Sequence, residues 1–379
     1  MKKKIVFITG TRADFGKIKK VIDELINHKF NIKIFITGMH LDMKYGFTFN
    51  EIKKKFSKKY LYKFKNYSKN ETQDVILAKT IQGFSIYLKK IKPDLVVVHG
   101  DRVEALAGAI SASLNNILTL HIEGGELSGT IDEHLRHSIS KLSHLHVVSN
   151  LQAKKRLVYK LGESSRNIFV CGSPDIDIMR LNNLPNINLV KKRYNINFSN
   201  YSILIFHPVT TEIKKMKIFV KKLISGCIRS KKKFVIIYPN NDPGNLQIIK
   251  FYKKKLLDKS FSDKFKLIKS MRFEYFLSLL KNSNMVIGNS SVGIREAPFY
   301  GIPTINIGSR QFNRVKKVKS IHNIDFDIKK ISSKIKLLSG VRYNKNFIFG
   351  KGDSSKKILK IIKSNKIWKT SIQKKFNDD

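Results

Sequence analysis

A chain of 379 residues is long for one compact domain and comfortable for two, and 42% hydrophobic residues supply material for two cores. Only two cysteines are present, Cys171 and Cys227, and they lack metal-ligand spacing, which excludes a disulfide scaffold and predicts no structural metal. Lys plus Arg is 74 against 28 for Asp plus Glu, a formal net charge of +46, which taken alone points to a basic RNA-binding protein. The lysines are spread along the chain, however, in runs such as 53–55, 231–233 and 253–255, and aromatics are not interleaved with them as stacking platforms. They are therefore expected on solvated faces, with no specific nucleic-acid partner, while drawing anionic substrates inward. The apolar run at 5–8 is too short for a signal core and no later run could span a bilayer, so a cytoplasmic protein without membrane contact is expected.

Short β-branched runs alternate with helical stretches, the pattern of parallel sheets covered by helices. Strands are predicted at 5–8, 32–36, 95–98, 117–122 and 145–148, with helices beginning near Phe15, Thr72, Val103 and Ile131. The run Leu95-Val96-Val97-Val98 lacks polar alternation, as expected of a strand buried on both faces. A polar, Asn-rich stretch follows Ser173-Pro174. The strand alternation then resumes at 203–206, 234–238, 265–268, 285–287 and 304–307. The predicted fold class is α/β, with two Rossmann-like domains: residues 1–175, a junction at 176–200, and a nucleotide-binding domain at 201–354.

Ligands of open parallel sheets bind beyond the carboxyl ends of the strands. Almost every predicted strand here ends in glycine plus polar or charged residues: Thr9-Gly10-Thr11-Arg12-Ala13-Asp14, Thr37-Gly38-Met39-His40, His99-Gly100-Asp101-Arg102 and His121-Ile122-Glu123-Gly124-Gly125 in the first half. The second half contributes His207-Pro208-Val209-Thr210-Thr211, Gly288-Asn289-Ser290-Ser291 and Gly308-Ser309-Arg310-Gln311. Such ends on both halves describe a polar cleft between two domains, where the active site is expected.

Gly288 to Gly293 followed by helix-forming residues is a small-residue turn and a helix N-terminus, suited to a diphosphate; an ordinary Ser cap is the competing reading. Glu296 is placed to accept from ribose hydroxyls, or is a surface acid. Arg12 and Arg310 follow glycine turns and are read as anion contacts, or else as solvated loop arginines. Gly10 to Gly16-Lys17 fails as a P-loop, with one residue too many and Ile18 where Ser or Thr is required, and no GxGxxG follows the first strand. A kinase and an NAD enzyme are thereby set aside, and no cofactor is expected. Asp101, Glu123 and Asp132 are the candidate acids and bases, or else caps and ion-pair partners; Asp132 and Arg136 share a helix face. His207 is read as a donor to a phosphate or leaving oxygen, or as a structural histidine. His134, His137, His144 and His146 are assigned to packing and capping, because no partner completes a metal site.

Together with Ser128-Gly129-Thr130-Ile131-Asp132 and the run 136–142, these motifs resemble the hydrolysing UDP-N-acetylglucosamine 2-epimerases in order and spacing over essentially the whole chain. The resemblance implies a glycosyltransferase-B-like fold, with a last helix within 355–379 crossing back to the first domain. It implies elimination of UDP to a 2-acetamidoglucal, then addition of water. It further implies that Asp101, Glu123 and Asp132 transfer protons, that Arg12, His207, Ser290, Ser291 and Arg310 contact the diphosphate, and that Glu296 contacts the ribose. Asp14, Lys17, His40 and Arg136 complete the expected substrate- and nucleotide-binding set. Thr37 to Leu41, Tyr238-Pro239-Asn240-Asn241-Asp242 and 272–276 also resemble relatives acting on nucleotide-linked 2,4-diacetamido-2,4,6-trideoxy sugars of the legionaminic acid route. The expected partners are a UDP- or GDP-linked sugar and further copies of the chain, as a dimer or tetramer. A glycosyltransferase on the same fold is the rival of a different reaction class.

Overall fold

The structure, a computed structural model, describes residues 3–43, 46–68, 71–128, 132–180, 184–240, 244–311, 314 and 318–375. Gly129, Thr130 and Ile131 of the third acidic motif, and Asn241 and Asp242 of the second-half motif, lie outside the described residues. The chain divides into two compact units. Unit 1 is Met1–Glu126, Ile131–Arg180 and Ile348–Asp379; unit 2 is Leu127–Thr130 and Leu181–Phe347.

Unit 1 holds strands β1 (Lys4–Thr9), β2 (Asn31–Ile36), β3 (Leu61–Lys63), β4 (Leu95–His99), β5 (Leu118–Ile122), β6 (Leu145–Val148) and β7 (Ile168–Val170). They form one sheet in the order β3-β2-β1-β4-β5-β6-β7, every pair parallel. The reversal of order between β1 and β4 is the topological switch point, where such sheets open a crevice. The sheet is buried on both faces because its strands carry apolar residues in both registers. Ile5, Phe7, Leu95 and Val97 pack under the helices Arg12–Asn27 and Ser354–Lys363. Val6, Ile8, Val96 and Val98 pack under the opposite layer, with Phe84, Leu106 and Ile139. The helix Ser354–Lys363 joins unit 1 through Ile358, Leu359 and Ile362. Its start is fixed by Asp177, whose carboxylate accepts from the N–H groups of Ser354 and Ser355 at 2.8 and 2.7 Å.

Unit 2 holds β8 (Ser202–Ile205), β9 (Phe234–Ile237), β10 (Phe265–Ile268), β11 (Val286–Gly288), β12 (Thr304–Ile307) and β13 (Ile321–Ile324). The order β10-β9-β8-β11-β12-β13 is again all parallel, with its switch point between β8 and β11. Gly288 ends β11 at φ +127°, and a Cβ there would lie 2.0 Å from the Ile205 carbonyl oxygen, so the turn into the next helix requires glycine. The two Rossmann-like parallel-sheet units agree with the predicted fold class. No helix among the described residues is long and apolar enough to cross a membrane.

Candidate active site

In unit 1 the turn after β1 is organised by a capping box. Thr11 caps the helix Arg12–Asn27 and accepts from the Asp14 N–H at 3.2 Å, while Asp14 accepts from the N–H groups of Thr11 and Gly10 at 3.2 and 3.0 Å. Thr9 also donates its hydroxyl to Asp14. Burial opposes the Asp14 charge, but His40 and these donors outweigh it and hold the carboxyl below its usual range. His40 is fully buried, with its ring nitrogens 3.0 Å from the Thr9 hydroxyl and 2.7 Å from the Thr48 hydroxyl. Asp14 and His40, both expected as binding residues, are thus brought together by the architecture of this turn. Arg12, expected on a phosphate, places its guanidinium on Glu51, with Nε donating at 3.1 Å.

The carboxyl ends of β4 and β5 carry the acids. The strands are register neighbours, with His99 opposite Ile122, so Asp101 and Glu123 leave adjacent strand ends. Asp101 accepts from Arg136, whose guanidinium is 4% exposed and also donates to the Glu126 carbonyl at 3.1 Å. Asp132 is the first residue of the helix Asp132–Leu142, one turn before Arg136. Glu123 sits at φ +67°, a left-handed conformation that costs a residue with a side chain about 1–3 kcal/mol and clusters at functional sites. Its N–H is tied to the Val147 carbonyl at 2.9 Å. Its carboxylate accepts from Lys17 Nζ at 3.0 Å and from the Ser173 hydroxyl, and lies 3.3 Å from His99 Nε2. Lys17 also lies 3.6 Å from the fully buried Asp175. Lys17, expected in the substrate- and nucleotide-binding set, stands as the cation beside Glu123. Ser173, Asp175 and His99 were not singled out from the sequence. Ser173-Pro174, which precedes the predicted junction at 176–200, opens the buried helix Pro174–Met179.

In unit 2 the switch point carries His207 after β8 and Asn289 and Ser290 after β11. Asn289 clamps the His207 backbone: its Oδ1 accepts from the His207 N–H at 2.7 Å and its Nδ2 donates to the His207 carbonyl at 2.8 Å. The Asn240 N–H donates to His207 Nδ1 at 2.9 Å, which leaves the proton on Nε2, facing the Ser290 hydroxyl at 3.3 Å. Burial, and then the charge of Arg310, hold the imidazole well below its usual range. His207 is a neutral N–H donor at neutral pH. Arg310 and Gln311 both donate to the Asn289 carbonyl, at 3.4 and 3.2 Å, so Arg310 stands at the same turn. Ser291 precedes the helix Val292–Phe299, and its hydroxyl makes no cap hydrogen bond. Glu296, five residues into that helix's turn from Ser291, is 6% exposed and so is no surface acid. Burial, and then the Glu296 charge, raise the neighbouring Tyr300 phenol. Asn289 was the residue the sequence hid best: it stood in plain view in Gly288-Asn289-Ser290-Ser291, but only the two strand ends side by side reveal the clamp.

Among the described residues no group of three or more His, Cys, Asp or Glu could hold a metal ion. The arrangement offers one unit with two cation-held carboxylates on adjacent strands, and another with hydroxyls, a helix N-terminus, a neutral imidazole and an arginine at one turn. The first suits proton transfer, and the second suits a phosphate-bearing leaving group.

The family profile described as UDP-N-acetylglucosamine 2-epimerase matches residues 23–363. The chain is 43% identical, over 99% of both chains, to a UDP-N-acetylglucosamine 2-epimerase of Neisseria meningitidis serogroup B. It is 32% identical, over 96% of both, to a UDP-N,N'-diacetylbacillosamine 2-epimerase (hydrolyzing) of Legionella pneumophila. Its fold matches the crystal structure of the Methanocaldococcus jannaschii UDP-GlcNAc 2-epimerase in complex with UDP-GlcNAc and UDP, with a TM-score of 0.79 at 24% identity, over 95% of this chain and 99% of that one. With matches spanning both units, the chain belongs to the UDP-N-acetylglucosamine 2-epimerase family.

Proposed function

We propose that the chain is a hydrolysing nucleotide-sugar 2-epimerase that converts UDP-N-acetylglucosamine and water into N-acetylmannosamine and UDP. The observation that carries this reading is the pair of cation-held carboxylates on adjacent strands, Asp101 with Arg136 and Glu123 with Lys17. Asp101, Glu123 and Asp132 form the proton-transfer set. A base takes the C2 proton, the C1–oxygen bond to UDP breaks, and a C1=C2 double bond forms, giving 2-acetamidoglucal. Water then adds its oxygen to C1 while a proton enters C2 from the opposite face. The C2 proton is weakly acidic, so the departing diphosphate must be stabilised as its charge develops. Ser290, Ser291, Arg310 and the Nε2–H of His207 hold the diphosphate, and Glu296 accepts from the ribose. Asp14 and His40 act by shaping the turn after β1. Arg12 reaches a phosphate only by leaving Glu51.

UDP-N-acetylglucosamine is favoured over the diacetamido sugar because similarity to the N. meningitidis relative is higher than to the L. pneumophila one. A time course of the purified protein with each nucleotide sugar, followed by proton NMR, tests the assignment. Free N-acetylmannosamine and UDP are expected from the first substrate. Turnover of the diacetamido analogue alone would reassign the sugar. Formation of UDP-N-acetylmannosamine would remove hydrolysis from the account, and sugar transfer to an acceptor without epimerisation would make the chain a transferase.

A further inference from the structure

The segment that ends the described chain returns to the helix carrying the catalytic acid. Lys374 Nζ lies within 3.2 Å of three main-chain carbonyls at the C-terminal end of the helix Asp132–Leu142: Ser140 at 3.2 Å, and Lys141 and Ser143 both at 2.7 Å. It also pairs with both oxygens of Glu163, at 2.8 and 2.7 Å. Glu163 is 2% exposed and is fixed from its other side by His146 Nε2 at 3.2 Å. Two residues earlier, the Ile372 carbonyl accepts from His144 Nε2 at 3.1 Å, while His144 Nδ1 accepts from the Thr119 N–H at 3.1 Å. The last carbonyls of a helix have no partners within it and carry the negative end of its dipole, so an ammonium group there is a matched cap.

This cap is connected to the acids by continuous contacts. At the other end of the same helix stand Asp132 and, one turn on, Arg136, which holds Asp101. From Ser140, whose carbonyl Lys374 takes, the hydroxyl meets His121 Nδ1 at 3.0 Å. The opposite nitrogen of His121 donates to the Gly100 carbonyl at 2.8 Å, the residue before Asp101. The Gly100 oxygen can only accept, so the His121 proton is on Nε2 and Nδ1 accepts from Ser140. Gly124, next to Glu123, is packed against this bond: a Cβ there would lie 2.8 Å from the Ser140 hydroxyl and 2.9 Å from His121 Nδ1.

We propose that Lys374 is a positioning residue, which seats the helix Asp132–Leu142 and, through Ser140 and His121, sets the Gly100–Asp101 turn for proton transfer. The proposal rests on reading Asp101, Glu123 and Asp132 as the proton-transfer set. Its test is Lys374→Met in the full chain, compared with Lys374→Arg and the unaltered protein. Three readouts are needed: steady-state turnover of UDP-N-acetylglucosamine, UDP affinity by calorimetry, and amide hydrogen exchange. Displacements of about 1 Å in a reacting constellation cost up to about a hundredfold in rate. Lys374→Met should therefore lower kcat by roughly ten- to a hundredfold and change KM by less than about threefold. UDP affinity should be unchanged, and faster exchange should be confined to residues 132–142 and the turn at 100–101. Lys374→Arg, which keeps the charge and the donors, should recover most of kcat. Unchanged kcat and exchange in Lys374→Met would overturn the proposal. So would exchange rising across the strands of unit 1, which would make the tail a general staple. Absence of turnover in the unaltered protein would count against the functional reading alone, and the exchange pattern would still decide whether Lys374 seats the helix.

Discussion

Replacing Glu123 by Gln removes the charge of one acid while keeping its size, and the surroundings of Glu123 set the size of the effect. The side chain is 5% exposed and accepts from Lys17 and Ser173. Stranding a buried charge costs about 3–5 kcal/mol. Lys17 is not stranded here, because the Asp175 carboxylate stays 3.6 Å away and a quarter of the lysine side chain reaches solvent. The stability loss should therefore fall near the value of hydrogen bonds to a charged group, about 1.5–3 kcal/mol. For a unit of this size that is a fall in melting temperature of roughly 2–4 °C per kcal/mol. Turnover should fall much further, by about 10²–10⁴-fold, as expected when a general acid or base is lost. UDP affinity should survive, since the turn proposed to hold the diphosphate belongs to unit 2. Initial rates by coupled UDP release, calorimetry with UDP and a thermal melt measure the three quantities on one preparation. A Gln variant with near-normal turnover would refute the role of Glu123. One that lost rate and UDP affinity together would show that the charge serves the fold and not the chemistry.

Further outcomes follow from the same geometry. Ser290→Ala combined with Ser291→Ala should weaken UDP binding by about 1.5–3 kcal/mol in calorimetry, and an unchanged affinity would remove both hydroxyls from the diphosphate site. Asn289→Ala deletes both bonds to the His207 backbone and should cost about 1–3 kcal/mol of stability, read by chemical denaturation; a cost near zero would mean water replaces the clamp. His121, His146 and His207 are held below the ordinary imidazole value of 6.5, chiefly by burial. Below that pH the unfolded chain binds protons that these folded histidines refuse, so stability should be intact above about pH 6.5 and fall as the pH drops through it. A melting temperature flat from pH 7.5 to 5.5 would contradict this linkage.

The site was legible where chemistry and strand order coincide. Asp101 and Glu123 could be paired from the sequence because each follows a predicted strand, and the two strands are consecutive in the chain and neighbours in the parallel sheet. Three strands went unpredicted: Leu61–Lys63, Ile168–Val170 and Ile321–Ile324. All three are at sheet edges, paired on one side only. Such strands can be short and half exposed, and so carry weak apolar signals. The contacts of Lys17, Ser173 and Asn289 were illegible for another reason. Their partners are distant in the chain: Lys17 and Glu123 are 106 residues apart, and His207 and Asn289 are 82 apart. Arg12, a residue type suited to phosphate, is paired with Glu51, a carboxylate that periodicity did not bring near it.

The central claim, proton removal from C2 followed by hydration, is tested most directly by turnover of UDP-N-acetylglucosamine in deuterated water with the sugar product followed by proton NMR. Elimination through the glucal predicts free N-acetylmannosamine carrying deuterium at C2, formed in step with UDP. A free sugar that keeps its original hydrogen at C2, or one released without inversion at that carbon, would contradict the account.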